Sequence, residues 1–229
     1  MVRLALITAA GSSTRMGGPV KKEYLPLTAT NPGRTVLSAC LGIFSETQLF
    51  ALIAIVVPPG GISEARSVLA RDPSITPELL NRILFVEGGA HRQSSVRLGL
   101  EALAAAEPGA DIILIHDGAR PFVSHSLIRA VCEETVLHGA VVPGISVTDT
   151  IKRCGPDCCI VEHPERRFLS AVQTPQGFRF AGIVDAHRKA AADTHEYTDD
   201  SEIWDRYQGR VLICPGEREN RKITWQGDL

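Results

Sequence analysis

The chain has 229 residues, 44% of them hydrophobic, enough to bury the core of one large domain. With 24 basic and 26 acidic residues the formal net charge is −2. That balance excludes a global field for nucleic acid or anionic membrane, so an anionic ligand must be met by locally placed Arg and Lys. The longest apolar run, Leu49–Val57, is too short to span a bilayer.

Met1–Ala10 has the apolar stretch of a signal peptide but no proper positive region, and reads as a first buried strand. Strands are expected at Arg3–Thr8, Leu49–Val57, Arg82–Glu87, Asp111–His116, Ala140–Pro143 and Arg210–Cys214. Their continuous apolar character predicts cover on both faces. Helices are expected at Thr35–Phe44, Ile62–Leu69, Arg92–Ala106, Ser124–His138, Gly182–Ala192 and Ser201–Tyr207, the last capped by Asp199 or Asp200. This alternation predicts one α/β domain over 1–229, with an open, doubly wound, mostly parallel sheet. Ligands of such sheets sit at the carboxyl ends of the strands.

One segment breaks the rhythm. About residues 147–168, Thr148-Asp149-Thr150-Ile151-Lys152 and Ile160-Val161 flank a Gly155-Pro156-Asp157 turn, which predicts a projecting β-hairpin arm. Contact between two subunits is its expected role; a lid or a solvated loop are the alternatives. Cys154, Cys158 and Cys159 lie on this arm near His163, with no recognisable zinc spacing, and read as a turn. The other three cysteines are scattered, unlike a secreted disulfide framework, so the cytoplasm is the expected compartment.

The chemistry-bearing residues follow strand ends. After the first strand comes Ala9-Ala10-Gly11-Ser12-Ser13-Thr14-Arg15-Met16-Gly17-Gly18, then Lys21 and Lys22. Small residues let backbone amides approach an anion, and Arg15 and Lys22 can add charge-assisted bonds to phosphate. The loop is neither a P-loop nor a dinucleotide fingerprint, and a solvated βα loop is its plain alternative. Gly88-Gly89-Ala90-His91 precedes a helix start at which Ser95 faces the same crevice, or simply satisfies its own backbone. His116-Asp117-Gly118-Ala119-Arg120 ends a central strand; Asp117 can hold Mg²⁺ there, or pair with Arg120 to fix a turn. His116 reads as structural. Gln173-Thr174-Pro175-Gln176 is an extended segment, Thr198-Asp199-Asp200 a helix cap, and Asn220-Arg221-Lys222-Ile223-Thr224 a short strand carrying a lysine.

In this order, and over nearly the whole chain from Ala9 to about Thr224, these segments resemble the 2-C-methyl-D-erythritol 4-phosphate cytidylyltransferases of the non-mevalonate isoprenoid pathway. His-Asp-Gly-Ala-Arg-Pro, Asp-Thr-Ile-Lys, Gln-Thr-Pro-Gln and Lys-Ile-Thr are the selective pieces. The resemblance implies a Mg²⁺-dependent transfer of a cytidylyl group from CTP to a sugar-alcohol phosphate. It places transition-state and triphosphate contacts on Arg15, Lys22 and Lys222. It places CTP binding on Ala9, Ala10, Gly11, Gly89, Ala90 and Ser95, and the metal on Asp117. It places the sugar phosphate on Arg120, Thr150, Arg166, Thr174 and Thr198, with Thr150 and Arg166 supplied across a homodimer by the partner's arm.

The chain departs from the family pattern at Gly118, Ala90 and Arg221, and Trp225–Leu229 replaces a Pro-containing helix start, so no closing C-terminal helix is expected. Ribitol-5-phosphate cytidylyltransferase is the near alternative, a sugar-1-phosphate nucleotidyltransferase using another base a second. A non-catalytic nucleotide-binding protein is the alternative of another class, against which the four charges Arg15, Lys22, Asp117 and Lys222 argue. The missing glycine fingerprint speaks against a nicotinamide dehydrogenase.

Overall fold

The computed structural model describes residues 1–11, 16, 20–28 and 30–228. The centre of the fold is β1 (Arg3–Thr8), a strand without a polar residue between its ends. Its side chains alternate between two cores. Ala5 and Ile7 pack with Leu37, Leu41 and Phe44 of α1 (Val36–Glu46). Leu4 and Leu6 pack on the other face with Val96, Leu100 and Leu103 of α4 (Arg92–Ala106). Both faces are therefore dry, which is why the strand reads as a continuous apolar run.

The hairpin β2 (Pro26–Thr28) and β3 (Asn31–Thr35) leads into α1, whose cap is a reciprocal pair: Thr35 Oγ1 accepts from Ser38 N, and Ser38 Oγ accepts from Thr35 N. β4 (Leu52–Val57) and β5 (Ile83–Glu87) lie parallel to β1 on one side, and β6 (Ile112–Asp117) on the other. α2 (Ile62–Leu69) and the short α3 (Pro77–Asn81) connect β4 to β5. The order β5–β4–β1–β6 reverses direction between β1 and β6, and that switch point opens a crevice beyond the strand ends. α5 (His125–His138) follows, capped by Ser124 Oγ accepting from Leu127 N and stopped by Gly139 at φ +87°.

The remaining strands complete an eight-stranded sheet: β7 (Ala140–Ser146), β10 (Ser170–Val172), β11 (Gln176–Arg179) and β12 (Leu212–Pro215). β11 runs antiparallel between β6 and β7. α6 (Phe180–Ala190) and α7 (Asp200–Tyr207) cover the α4 face, with Ile183, Val184 and Trp204 in that core. Asp199 caps α7 by accepting from Glu202 N. Between β7 and β10 projects the arm, with β8 (Arg153–Cys154) paired to β9 (Ile160–Glu162). Ile151, Ile160, Val161 and Phe168 on it are exposed to solvent. Among the described residues no helix is long and apolar enough to cross a membrane.

The structure corrects several expectations. The first arm strand is Arg153–Cys154 rather than Thr148–Lys152, because residues 148–152 have no ladder partner. Asn220–Thr224 is not a strand; its backbone and side-chain bonds go to three separate segments, as described below. Gln176, expected to close an extended segment, begins β11 in the middle of the sheet. β4 starts at Leu52, three residues late, since Gln48 turns the chain at φ +55°.

Candidate active site

At the switch point lies a cleft of about 350 Å³. The end of β1 contributes Thr8, Ala10 and Gly11; the turn after β5 contributes Gly89, Ala90 and His91; α4 contributes Arg92 and Ser95. Asp117 and Ala119 come from the end of β6, Met16, Lys22 and Glu23 from the connection after β1, and Lys222 and Thr224 from near the C-terminus.

The double-glycine turn sits against α4 because nothing larger fits: a Cβ on Gly88 would stand 2.7 Å from Ser95 Oγ and 2.8 Å from the Ala10 methyl. Ser95 Oγ accepts from Gly89 N at 3.1 Å and donates to His91 O at 2.9 Å, so this serine holds the turn it was expected to share with a ligand. Arg92 is anchored through Nη2 to the buried Asp200 at 2.6 Å, and Asp200 also meets His187 Nε2 at 3.2 Å. Burial works against the charge of Arg92, but Asp200 and Asp117 outweigh it and raise its pKa further.

Asp117 is the electrostatic centre. Lys222 Nζ stands 2.8 Å and Arg120 Nε 3.6 Å from its Oδ2. Burial pushes this carboxyl up, but Lys222, Arg92 and Arg120 prevail and hold it well below the usual carboxylate range. The group is a permanent anion on the cleft wall. Its backbone is fixed by a relay: Asp117 N donates to Thr174 Oγ1 at 3.0 Å, which is 3.0 Å from His116 Nδ1. His116 Nε2 is 3.1 Å from Arg120 O, a group that only accepts. Nε2 therefore carries the proton and Nδ1 accepts from the threonine hydroxyl. Burial lowers the His116 pKa to about 4, so the ring is neutral at pH 7 and serves as a strut.

The two lysines are placed by the C-terminal segment. Lys22 is buried and its Nζ donates to Ile223 O at 3.1 Å. Ile223 N donates to Ala119 O at 2.8 Å, and Arg120 Nη1 donates to Asn220 O at 2.7 Å. Lys21 Nζ reaches back to Gly11 O and closes the first loop.

Of the residues expected at a site, the fold brings Ala10, Gly11, Lys22, Gly89, Ala90, Ser95, Asp117 and Lys222 to one cleft. Ala9 is buried beside it, its N–H bonded to Val56 O. Arg120 and Thr174 form the floor under Asp117. Thr198 bonds to Glu202, on the loop before α7. Thr150 and Arg166 lie on the arm, where Arg166 Nη1 donates to Thr148 O at 2.8 Å. Arg15 lies outside the described residues. Sequence reasoning missed Arg92, Thr8 and Glu23. Arg92 had a usable signal: a cation at the first turn of a helix that follows a double glycine at a strand end.

The Asp200 cluster sets an acid limit on stability. Arg92 and His187 outweigh burial and lower the Asp200 pKa to about 2, against roughly 3.9 in an unfolded chain. A depressed carboxyl contributes stability that is full above pH ~4 and lost as pH falls through 2, roughly 2 kcal/mol. Denaturant unfolding of wild type and Asp200→Asn should therefore differ at pH 7 and converge near pH 2. A gap that stays constant with pH would contradict this assignment.

The model of the IspD family, 2-C-methyl-D-erythritol 4-phosphate cytidylyltransferase, matches residues 3–229. A protein of that name from Syntrophotalea carbinolica is 41% identical over 225 residues, covering 98% of this chain and 91% of the relative. A bifunctional enzyme IspD/IspF from Nitrobacter hamburgensis is 39% identical over 98% of this chain, which spans 53% of that longer protein. The crystal structure of the 2-C-methyl-D-erythritol 4-phosphate cytidylyltransferase of Thermus thermophilus superposes with a TM-score of 0.76 at 32% identity, covering 100% of this chain and 95% of that one. With the switch-point cleft and these matches together, the chain belongs to the 2-C-methyl-D-erythritol 4-phosphate cytidylyltransferase family.

Proposed function

We propose that the cleft transfers a cytidylyl group from CTP to 2-C-methyl-D-erythritol 4-phosphate and releases pyrophosphate. The observation that carries this reading is the meeting of Lys22, Lys222 and Asp117 at one switch-point cleft, in a chain of this family. A phosphate oxygen of the sugar alcohol attacks the α-phosphorus of CTP; a new P–O bond forms as the bond to pyrophosphate breaks. The nucleophile is already anionic near neutral pH, so no strong general base is needed. What the reaction requires is positioning of two polyanions and stabilisation of developing charge. Lys22 and Lys222 supply cations, with Arg15 from the first loop. Ala9, Ala10, Gly11, Gly89 and Ala90 offer backbone to the nucleotide, and Ser95 braces the turn. Arg120 and Thr174, at the floor, and Thr198 are assigned to the sugar phosphate.

The residues present fit a Mg²⁺ ion. Asp117 offers a hard, permanently ionised oxygen at the cleft wall, and Mg²⁺ takes one or two carboxylates plus substrate phosphates. Among the described residues no group of three His, Cys, Asp or Glu is arranged to hold an ion alone, which suits an ion that arrives with the triphosphate. When bound, it would neutralise phosphate charge.

The arm supports a homodimer. Phe168 is 74% exposed and Ile160 and Val161 52% each, apolar surface that a second copy would cover. Thr150 and Arg166 then reach the partner's cleft. Sedimentation at micromolar concentration should show a dimer, and Phe168→Asp a monomer of reduced activity; a monomeric wild type would refute the exchange. The cytoplasm is the assigned compartment, in keeping with three exposed free thiols on the arm.

Pyrophosphate release from CTP and Mg²⁺ tests the reaction. Release with methylerythritol 4-phosphate and not with ribitol 5-phosphate is expected. The reverse would keep the nucleotide site and change the acceptor. Silence with both would overturn the reading.

A further inference from the structure

Lys222 stands on an irregular segment, and no ladder fixes its place. What holds it is a latch centred two residues earlier. Asn220 is fully buried. Its Nδ2 donates to Thr174 O at 2.8 Å, and its own carbonyl accepts from Arg120 Nη1 at 2.7 Å and from Gln173 Nε2 at 3.3 Å. Gln173 grips the same segment again: Nε2 donates to Glu217 O at 2.7 Å and Oε1 accepts from Glu217 N at 3.1 Å. Gln173 is itself tied to the sheet through its N–H on Pro143 O at 2.7 Å. On the far side of Lys222, Ile223 N is bonded to Ala119 O. The lysine is thus pinned at both flanks, to the turn after β6 that follows Asp117 and to the connection between β10 and β11 that carries Thr174.

We propose that Asn220 is the positioning residue for Lys222, acting with Gln173 to set the ammonium at Asp117. The inference rests on the cytidylyl-transfer reading for its kinetic consequence, but its geometric content is independent of it. A lysine has a flexible four-carbon stem and loses a large side-chain entropy when held in one place. Fixing the backbone on either side reduces the volume the ammonium explores, and displacement of a reacting group by about 1 Å costs up to ~100-fold in rate.

The test compares wild type, Asn220→Ala, Lys222→Ala and the double variant, with Asn220→Ser in reserve should the alanine protein not fold. Asn220→Ala should lower kcat about tenfold to hundredfold, with KM for CTP little changed. The double variant should be no slower than Lys222→Ala, because positioning is worthless once the lysine is gone. Independent, additive losses would overturn the proposal. A readout free of activity runs beside it: the rate of reductive methylation of Lys222 by mass spectrometry, with the surface residue Lys189 as reference. Released from its ion pair, Lys222 should react several-fold faster in the Asn220 variant, while Lys189 is unchanged; an unaltered Lys222 rate would overturn the proposal. If wild type makes no pyrophosphate, the functional reading falls, and the methylation rate still decides the latch.

Discussion

Replacing Lys22 by alanine should lower cytidylyl transfer by roughly 10²–10³-fold, the cost of removing one preorganised charge from a developing oxyanion. Lys22 is buried and held against Ile223 O, at the joint between the first loop and the C-terminal segment. A buried cation is less screened than one in solvent, and it acts on charge that appears only in the transition state. The loss should therefore fall on kcat more than on CTP affinity. Stopped-flow or steady-state pyrophosphate release, with calorimetric CTP binding and circular dichroism on the same protein, separates these. A folded variant turning over within about tenfold of wild type would remove Lys22 from the mechanism. The sheet does not depend on this residue, so its strand signal should persist even if the segment around Ile223 loosens.

Asp117→Asn should be comparably severe for a different reason. The substitution keeps the shape and removes the charge that gathers Lys222, Arg120 and Arg92. Two consequences are expected. Turnover falls by about 10²–10³-fold, and the Mg²⁺ concentration for half-maximal activity rises by roughly tenfold or more. Saturating Mg²⁺ should restore part of the rate. A variant with normal Mg²⁺ dependence would show that Asp117 serves only as an anchor for these cations, the other reading of an Asp–Arg pair at a turn.

Much of this was legible in the sequence, and the failures have physical causes. The parallel strands announced themselves because both faces are buried, so β1, β4 and β6 are nearly unbroken apolar runs. β11 was missed because Gln-Gly-Phe-Arg has one large apolar residue; its place in the sheet comes from Phe178 filling the α4 core and from neighbours on both edges. The order of motifs located the cleft, since each follows a strand end. Short-range reading could not tell that Asn220–Thr224 is held by side chains rather than by a ladder. Those bonds reach Thr174, Arg120 and Ala119, some 46 to 104 residues away. For Ser95 the sequence left both readings open, a ligand contact or its own backbone; the distance from Oγ to Gly89 N shows that it braces its turn while lining the cleft.

The bond from Lys22 to the carbonyl of Ile223 joins positions 201 residues apart. During synthesis at about 5–20 residues per second, the ribosome takes roughly 10–40 s to pass from one to the other. Over that interval β1, β4, β5 and β6 can pair and the switch-point crevice can open, yet the cleft lacks one of its walls. A nascent chain therefore carries this hollow before Lys222 and the bond from Lys22 to Ile223 O exist, and the site is completed only when residues 220–224 dock. Opening of the crevice and completion of the site are separate events in this molecule, divided by the synthesis of 201 residues.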